Sequence, residues 1–257
     1  NKISDYTNTF SGTSSATPVV AGVATLLFGV NDALTWRDVR HILGSTATKV
    51  DPQSKPVIIQ GNNGDKFTAR LGWVTNKAGY SFHNWYGLGM VNATKAVQMA
   101  TNGYTALPPL QETVFIDSGM TSSLSIPEDS TGIEQTIFIN DDYLIEGVQL
   151  KLSLSHHRKN DLLVELVSPS GTHSTLLTPR SLIGYIMPDA DTTDFNNTVL
   201  LSNAFYGEKS KGDWKIKIRD TNSGTFKYKT TFGADVIDNN NQSLGKLTGS
   251  SLRIYGH

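Results

Sequence analysis

Serine, threonine and glycine crowd one stretch near the start of the chain, Gly12-Thr13-Ser14-Ser15-Ala16-Thr17-Pro18. An apolar helix pattern follows at once, from Val19 through Leu27. Gly12 lets the backbone take a positive φ or approach a neighbour closely. Ser14 falls at the predicted helix start, where unpaired N–H groups and the positive dipole end favour a developing negative charge. A hydroxyl held beside such donors has what an acyl-transfer nucleophile needs. The same residue types also make an ordinary N-cap on a core helix. Pro18 cannot return a hydrogen bond to the Ser14 carbonyl, a loss tolerated close to the first turn.

Other residues could do chemistry, and each has a plainer reading. His41 sits on a predicted helix with no carboxylate placed beside it by the sequence, so it reads as structural. His156-His157 with Asp161 could be a metal pair, but adjacent strand residues point to opposite faces, which favours packing. Asp189, Asp191 and Asp194 make an oxygen-rich loop of the kind that suits calcium. Their spacing matches no recognised calcium loop, so a solvated turn is the plainer reading. Lys209, Lys211, Lys215, Lys217, Lys227 and Lys229 could form a basic patch, or the wet face of protected strands.

The elements that must position these groups change character along the chain. The helix after the serine turn runs from about Ser14 to Phe28, with Val19, Val20, Val23, Leu26 and Leu27 forming a buried pattern. Thr35-Trp36-Arg37-Asp38 reads as a second helix start, with Asp38 in the capping-box position. Val57-Ile58-Ile59, with turn residues at Gly61-Asn62-Asn63-Gly64-Asp65, fits a surface hairpin. Asn92 caps a third helix, Ala93–Ala100, and Asn102-Gly103 stops it. Two adjacent prolines, Pro108-Pro109, stiffen a linker at residues 107–112.

Beyond the linker the period becomes two. Val148, Leu150, Leu152 and Leu154 alternate with polar residues, as do Leu162, Val164 and Leu166, and then Trp214, Ile216 and Ile218. Short alternating segments bounded by turns predict half-buried antiparallel strands in a sandwich or jelly roll.

Composition sets the outer bounds. The chain has 257 residues, 38% hydrophobic and 18% charged, with a net charge of −1 and no cysteine. It can bury a core, and disorder is not expected. Near-neutral charge argues against nucleic acid or a membrane surface held by bulk electrostatics. The absence of cysteine excludes disulfides, thiolate catalysis and Cys-based zinc sites. No apolar run reads as a membrane span. The chain starts without a leader-like segment, shortly before the serine turn, as though cut from something longer.

The serine stretch resembles the G-T-S-x-A-x-P motif of subtilisin-like serine proteases, in which an apolar helix and A-G follow. By position, Ser14 matches the nucleophile, its backbone N–H an oxyanion donor, and the Thr13 hydroxyl a supporting group. Trp73 to Ala93 is similar to the segment W-x-x-N-x-A-G…(S/F)-H-x-Y-G-x-G-x-(I/V)-(D/N)-A that closes the catalytic domain of the kexin/furin branch. His83 matches a structural position there, not the catalytic histidine, which precedes the serine. His156 to Thr172 looks like the H-x-x-x-x-D-L-x-V-x-L-x-S-P-x-G-T string of the P domain, the β-sandwich that follows the catalytic domain in kexin-like proteases. Gly212 to Asp220 resembles its G-x-W-x-L-x-V-x-D strand. Lys246 to Gly256 resembles its final strand, without the usual tryptophan near Gly249 and Ser250. Cysteine-free and drifted, the chain looks most like the bacterial secreted kexin-like proteases.

The resemblance implies an α/β C-terminal portion of a subtilisin-like catalytic domain at 1–106, a linker at 107–112, and an all-β sandwich or jelly-roll P domain at 113–257. It implies a serine endopeptidase using Ser-His-Asp chemistry on polypeptide substrates, cleaving after basic residues. Secretion and calcium come with the same resemblance. The Asp, His and oxyanion Asn of that chemistry lie upstream of the serine in these families, so they are expected from an N-terminal half of the same protease. The alternative is an inactive fragment whose P domain serves as a structural or interaction module.

Overall fold

The computed structural model describes residues 9–61, 64–129, 131–179, 194–222, 225–229, 233–238 and 244–257. Its contacts divide the chain into two compact units. One takes the residues up to Val50 together with Leu88–Pro108, and the other takes Asp51–Gly87 with Pro109–His257. Packing thus runs across the chain order, because residues 51–87 belong with the later strands.

The first unit is helical, with α1 at Thr13–Val30, α2 at Trp36–Thr46 and α3 at Ala93–Thr101. Val23 and Leu27 of α1 meet Leu34, Val39, Ile42, Ala96 and Ala100 in its core. The i, i+4 spacing of Val23 and Leu27 makes a single seam. The wider buried face expected for this helix is not present. Val19, Val20 and Leu26 are 62%, 40% and 54% exposed, because among the described residues it is α2, α3 and the segments beside them that pack on α1. The membrane reading also needs amendment. By length and composition alone, α1 could cross a membrane, a test that core helices of soluble proteins also pass.

Asp38 ties this unit together. Thr35 and Asp38 form the expected capping box. The Asp38 carboxylate also accepts from Tyr104 Oη at 2.9 Å and from Leu107 N–H at 2.8 Å. Beside it, Arg37 donates to the Pro108 carbonyl at 2.8 Å. The start of α2 therefore holds the chain that leaves α3. Burial raises the Asp38 pKa, but hydrogen bonds from Thr35, Leu107 and Tyr104 outweigh it and bring the carboxyl to about 2.

The second unit begins with a hairpin of β1 (Val57–Gln60) and β2 (Lys66–Arg70), as the turn signals predict. A second small pair follows, β3 (Val74–Thr75) and β4 (Ser81–Phe82). The short strands β5 (Gln111–Glu112), β6 (Ile116–Asp117) and β7 (Leu124–Ile126) lead into the sandwich. Its longer strands are β8 (Ile133–Ile139), β9 (Ile145–Ser155), β10 (Leu162–Val167), β11 (His173–Leu177), β12 (Phe195–Ser202) and β13 (Gly212–Asp220). The small pair β14 (Phe226–Lys229) and β15 (Asp235–Asp238) precedes the last strand, β16 (Gly245–Gly256). One sheet runs β11-β10-β13-β8, and the other runs β12-β9-β16-β5 with β6 and β7 also on β16. All these pairings are antiparallel.

Between the sheets lies the larger core. It contains the alternating residues expected to point inward on β9, β10 and β13, joined by Phe205 and Leu252. Trp214 meets Phe205 edge-on at 4.9 Å and donates from Nε1 to the Ser210 carbonyl at 2.8 Å. Two strands depart from the expected pattern. In β10 every residue is buried, not every second one. Its outward Leu163 and Glu165 sit opposite Arg219 and Lys217 of β13, whose long stems can cover apolar surface. In β16 the register slips between Leu247 and Gly249, at the place where the expected tryptophan is missing. This is the local signature of a bulge.

A buried polar joint fastens residues 73–87 to the sandwich. Asn76 Nδ2 donates to the carbonyls of Ala204 at 2.9 Å and Tyr206 at 2.8 Å. Its Oδ1 accepts from the N–H groups of Ala78 and Tyr80, both at 3.0 Å. Glu208 accepts from Lys77 N–H at 2.8 Å, from Ser168 Oγ at 2.7 Å and from Thr172 Oγ1. Asn84 Nδ2 reaches the Thr175 carbonyl at 2.8 Å.

Two outcomes follow from these contacts. Asp38→Asn should lower stability by about 2 kcal/mol, the worth of hydrogen bonds to a charged group, read as a lower thermal midpoint at neutral pH. Because the folded pKa of Asp38 lies below its ordinary value, the stabilisation is complete above pH 3.8 and is lost as pH falls towards about 2. The variant should therefore match the parent's stability only at the acid end. Asn76→Ala strands the Ala204 and Tyr206 carbonyls and the Ala78 and Tyr80 N–H groups. It should cost at least about 2 kcal/mol in denaturant unfolding, more than Asn102→Ala at the end of α3.

Candidate active site

The serine turn is built by backbone geometry. Gly12 has φ +87° and ψ −169°, a conformation essentially confined to glycine. A Cβ there would meet nothing within 4 Å, so the constraint is the dihedral and not space. From this position the Gly12 carbonyl accepts from Ser15 N and Ala16 N, each at 3.2 Å, and from Ser15 Oγ at 2.8 Å. The first turn of α1 closes on Ser15 and Ala16. The N–H groups of Thr13 and Ser14 have no acceptor among the described residues.

Ser14 is exposed, and its Oγ has no hydrogen-bond partner among the described residues. The neighbouring hydroxyls are engaged differently. Ser15 turns back to Gly12, and Thr17 Oγ1 donates to the Thr13 carbonyl at 2.8 Å. No acidic residue occupies the first turn of α1 and no side chain among the described residues caps it, which leaves the positive end of the dipole open there. Pro18 stands inside the helix and withholds the N–H that would reach the Ser14 carbonyl. The arrangement presents a free hydroxyl beside unpaired N–H donors at a helix start. The ordinary N-cap reading fails on geometry, because the cap position is Gly12 and Ser14 lies inside the helix.

The histidines have other tasks. His83 is fully buried in an aromatic cluster, stacked on Tyr86 at 4.6 Å and tilted against Trp73 at 5.3 Å. Its Nδ1 accepts from Trp85 N–H at 3.0 Å, which leaves the proton on Nε2, facing Ser54 Oγ at 3.3 Å. Ser54 and His83 lie close, but an imidazole protonated on that nitrogen cannot take a serine proton. Burial lowers the His83 pKa, the Arg70 charge lowers it further, and Asp51 opposes both. His83 is therefore a neutral packing residue. His41 Nε2 lies 3.4 Å from Ser45 Oγ, and its ring lies 6.1 Å from that of Tyr104.

His156 is buried and faces Asp220, with Nε2 at 3.4 Å from Oδ2, while His157 is exposed. The pair therefore splits across the strand end as its spacing predicts, and Asp161 pairs with Arg158 at 2.8 Å. Among the described residues no group of three or more His, Asp or Glu could hold a metal ion. Asp189 and Asp191 lie outside the described residues, and Asp194 is exposed. Several of the lysines are neutralised. Lys215 and Lys217 flank Glu134 at 2.9 and 3.6 Å, Lys209 meets Asp142, and Lys229 meets Asp235. The side chain of Lys227 lies outside the described set.

In the sequence Asn76 stands within the W-x-x-N motif with no task evident from its neighbours, and Glu208 stands out in no way. A single glutamate in Tyr206-Gly207-Glu208-Lys209 carries no local signal, because its partners come from residues 77, 168 and 172.

Residues 1–89 match the subtilase family, and residues 145–230 match the proprotein convertase P-domain. The chain is 34% identical over 270 residues to the Aeromonas extracellular serine protease of Aeromonas sobria, covering 98% of this chain and 43% of that protein. It is 30% identical to proprotein convertase subtilisin/kexin type 6 of Homo sapiens, covering 97% of this chain and 23% of that one. The crystal structure of the Aeromonas sobria serine protease with the chaperone ORF2 superposes with a TM-score of 0.86 at 33% identity, over 98% of this chain and 45% of that one. The chain spans less than half the length of these relatives. It joins a segment that matches the subtilase family to one that matches the proprotein convertase P-domain.

Proposed function

We propose that this chain supplies the nucleophile and the P domain of a subtilisin/kexin-type serine endopeptidase. The observation that carries the reading is Ser14 Oγ, free and exposed beside the unpaired Thr13 and Ser14 N–H groups of α1. Ser14 Oγ attacks the carbonyl carbon of a peptide bond. Its proton passes to a histidine base, and the carbonyl oxygen, now an oxyanion, takes a hydrogen bond from the Ser14 N–H. The Thr13 hydroxyl supports that oxyanion. The tetrahedral intermediate collapses, the C–N bond breaks, and the amine leaves with the proton held by the histidine; water then attacks the acyl-enzyme ester, the acid product departs, and Ser14 Oγ recovers its proton.

The histidine, its orienting aspartate and an oxyanion asparagine come from an N-terminal half carried upstream or by a partner chain. The exposed Val19, Val20 and Leu26 of α1 support this reading, since a helix this apolar is stable in water only when its stripe is covered. The same stripe disfavours the alternative, an isolated inactive fragment. We assign residues 1–106 to the catalytic part, 107–112 to the linker and 113–257 to the P domain. Polypeptide substrates cleaved after basic residues follow the kexin resemblance of the sequence, and secretion follows the extracellular Aeromonas relative. Calcium dependence goes with subtilases in general. The described residues offer no site for the ion, and no step is routed through it.

The test uses the full-length protease. A peptidyl phosphonate ending in arginine should label Ser14, as read by mass spectrometry of the modified peptide. Ser14→Ala should abolish labelling and lower kcat by about 10⁶-fold, the loss subtilisin itself shows without its nucleophile. Labelling elsewhere with Ser14 unmodified would remove the assignment. A strong preference for a phosphonate ending in a large apolar residue would keep the nucleophile but overturn the basic specificity.

A further inference from the structure

The hairpin strand β2 ends in Arg70, which is only 7% exposed. Its side chain makes no hydrogen bond or ion pair among the described residues, and Nε is buried without a partner. The guanidinium lies over the face of Trp85, with 3.1 Å from its carbon to the ring centroid. Trp85 itself is 69% exposed. A guanidinium withdrawn from water with its donors unused is costly unless an anion completes it. We propose that Arg70 and Trp85 form a recognition site for a carboxylate carried by another polypeptide, an aspartate or glutamate side chain in an acidic segment.

The chemistry of the ligand follows from the shape and charge of the site. The indole covers one face of the guanidinium, so a ligand must enter in the plane, along the N–H edge. A planar carboxylate fits that edge with paired hydrogen bonds. The charge on offer is a single unit. His83, the adjacent basic side chain, is held towards its neutral form by burial and by the Arg70 charge, against an opposing effect of Asp51. A monoanion matches such a site. A nucleic acid or polyphosphate would need a track of cations that is not there. The exposed indole adds an apolar platform for the chain that bears the carboxylate, and stacking on its free face keeps the site half dry. The site does not include Ser14.

Hexaglutamate titrated into the full-length protease should perturb tryptophan fluorescence saturably, with hexaglutamine as the neutral control. Arg70→Gln should weaken binding by at least about tenfold, and Arg70→Lys, which keeps the charge but not the fork, by an intermediate factor. Because Arg70 is buried, Trp85→Leu serves as a second variant on an exposed position. It should keep the parent's thermal midpoint and still lose hexaglutamate, followed by isothermal titration. The proposal fails if hexaglutamate gives no saturable change, if hexaglutamine binds equally, or if Arg70→Gln and Trp85→Leu bind as the parent does. It also fails if inorganic phosphate saturates the site while hexaglutamate does not.

Discussion

An asparagine side chain can be buried only if its donors and acceptor find partners, and Asn76 satisfies that demand in full. Its amide nitrogen takes the carbonyls of Ala204 and Tyr206, and its oxygen takes the N–H groups of Ala78 and Tyr80. One half of the side chain shapes its own turn, and the other half binds a loop far along the chain. Glu208 repeats the logic from the opposite side, anchoring Lys77 and the turn of Ser168 and Thr172. Buried networks of this kind are worth more than separate bonds when every member is satisfied, and become a liability when one is removed. Residues 73–87 pack with the sandwich for this reason, although the chain order sets them before the linker.

The helical unit is constrained differently. Its core is a thin seam of Val23, Leu27, Ile42 and Ala96, and much of its order comes from one carboxylate, Asp38. Where apolar burial is small, a charged hydrogen-bond hub can fix geometry that packing leaves loose. The seam leaves the start of α1 uncluttered. Gly12 turns the chain, its carbonyl takes the first helical donors, and the donors at Thr13 and Ser14 stay open. Exposed N–H groups at a helix start are hydrated in any helix. In the role proposed for Ser14 they are the donors that would meet an oxyanion.

What could be read from the sequence was local. The capping box of Thr35 and Asp38, the Asn92 cap, the hairpin around Gly61 and Gly64, and the alternation in β9 and β13 depend on neighbours within a few residues. Each appears as expected. What could not be read depends on partners distant in sequence. The uncovered side of α1 reflects which helices are at hand. The full burial of β10 reflects Arg219 and Lys217 across the strand. Glu208 and Arg70 have ordinary neighbours in sequence, and only the fold surrounds one with donors and leaves the other with an indole. In the candidate site, glycine, serine and proline were legible as a motif, whereas the freedom of the Ser14 hydroxyl was a matter of geometry.

The two buried histidines bear on the chemistry by what they cannot do. In both, the N–H two residues on donates to Nδ1, from Trp85 to His83 and from Arg158 to His156. This places the proton on Nε2, which then faces Ser54 in one case and Asp220 in the other. A triad histidine needs the reverse arrangement, with a carboxylate on Nδ1–H and a free lone pair on Nε2 turned to the serine. His83 has a serine without the correct tautomer, and His156 has a carboxylate on the wrong nitrogen. The same local turn that makes them good structural residues removes them as bases. The nucleophile role proposed for Ser14 therefore calls for an imidazole with a free Nε2, oriented by a carboxylate outside these two clusters.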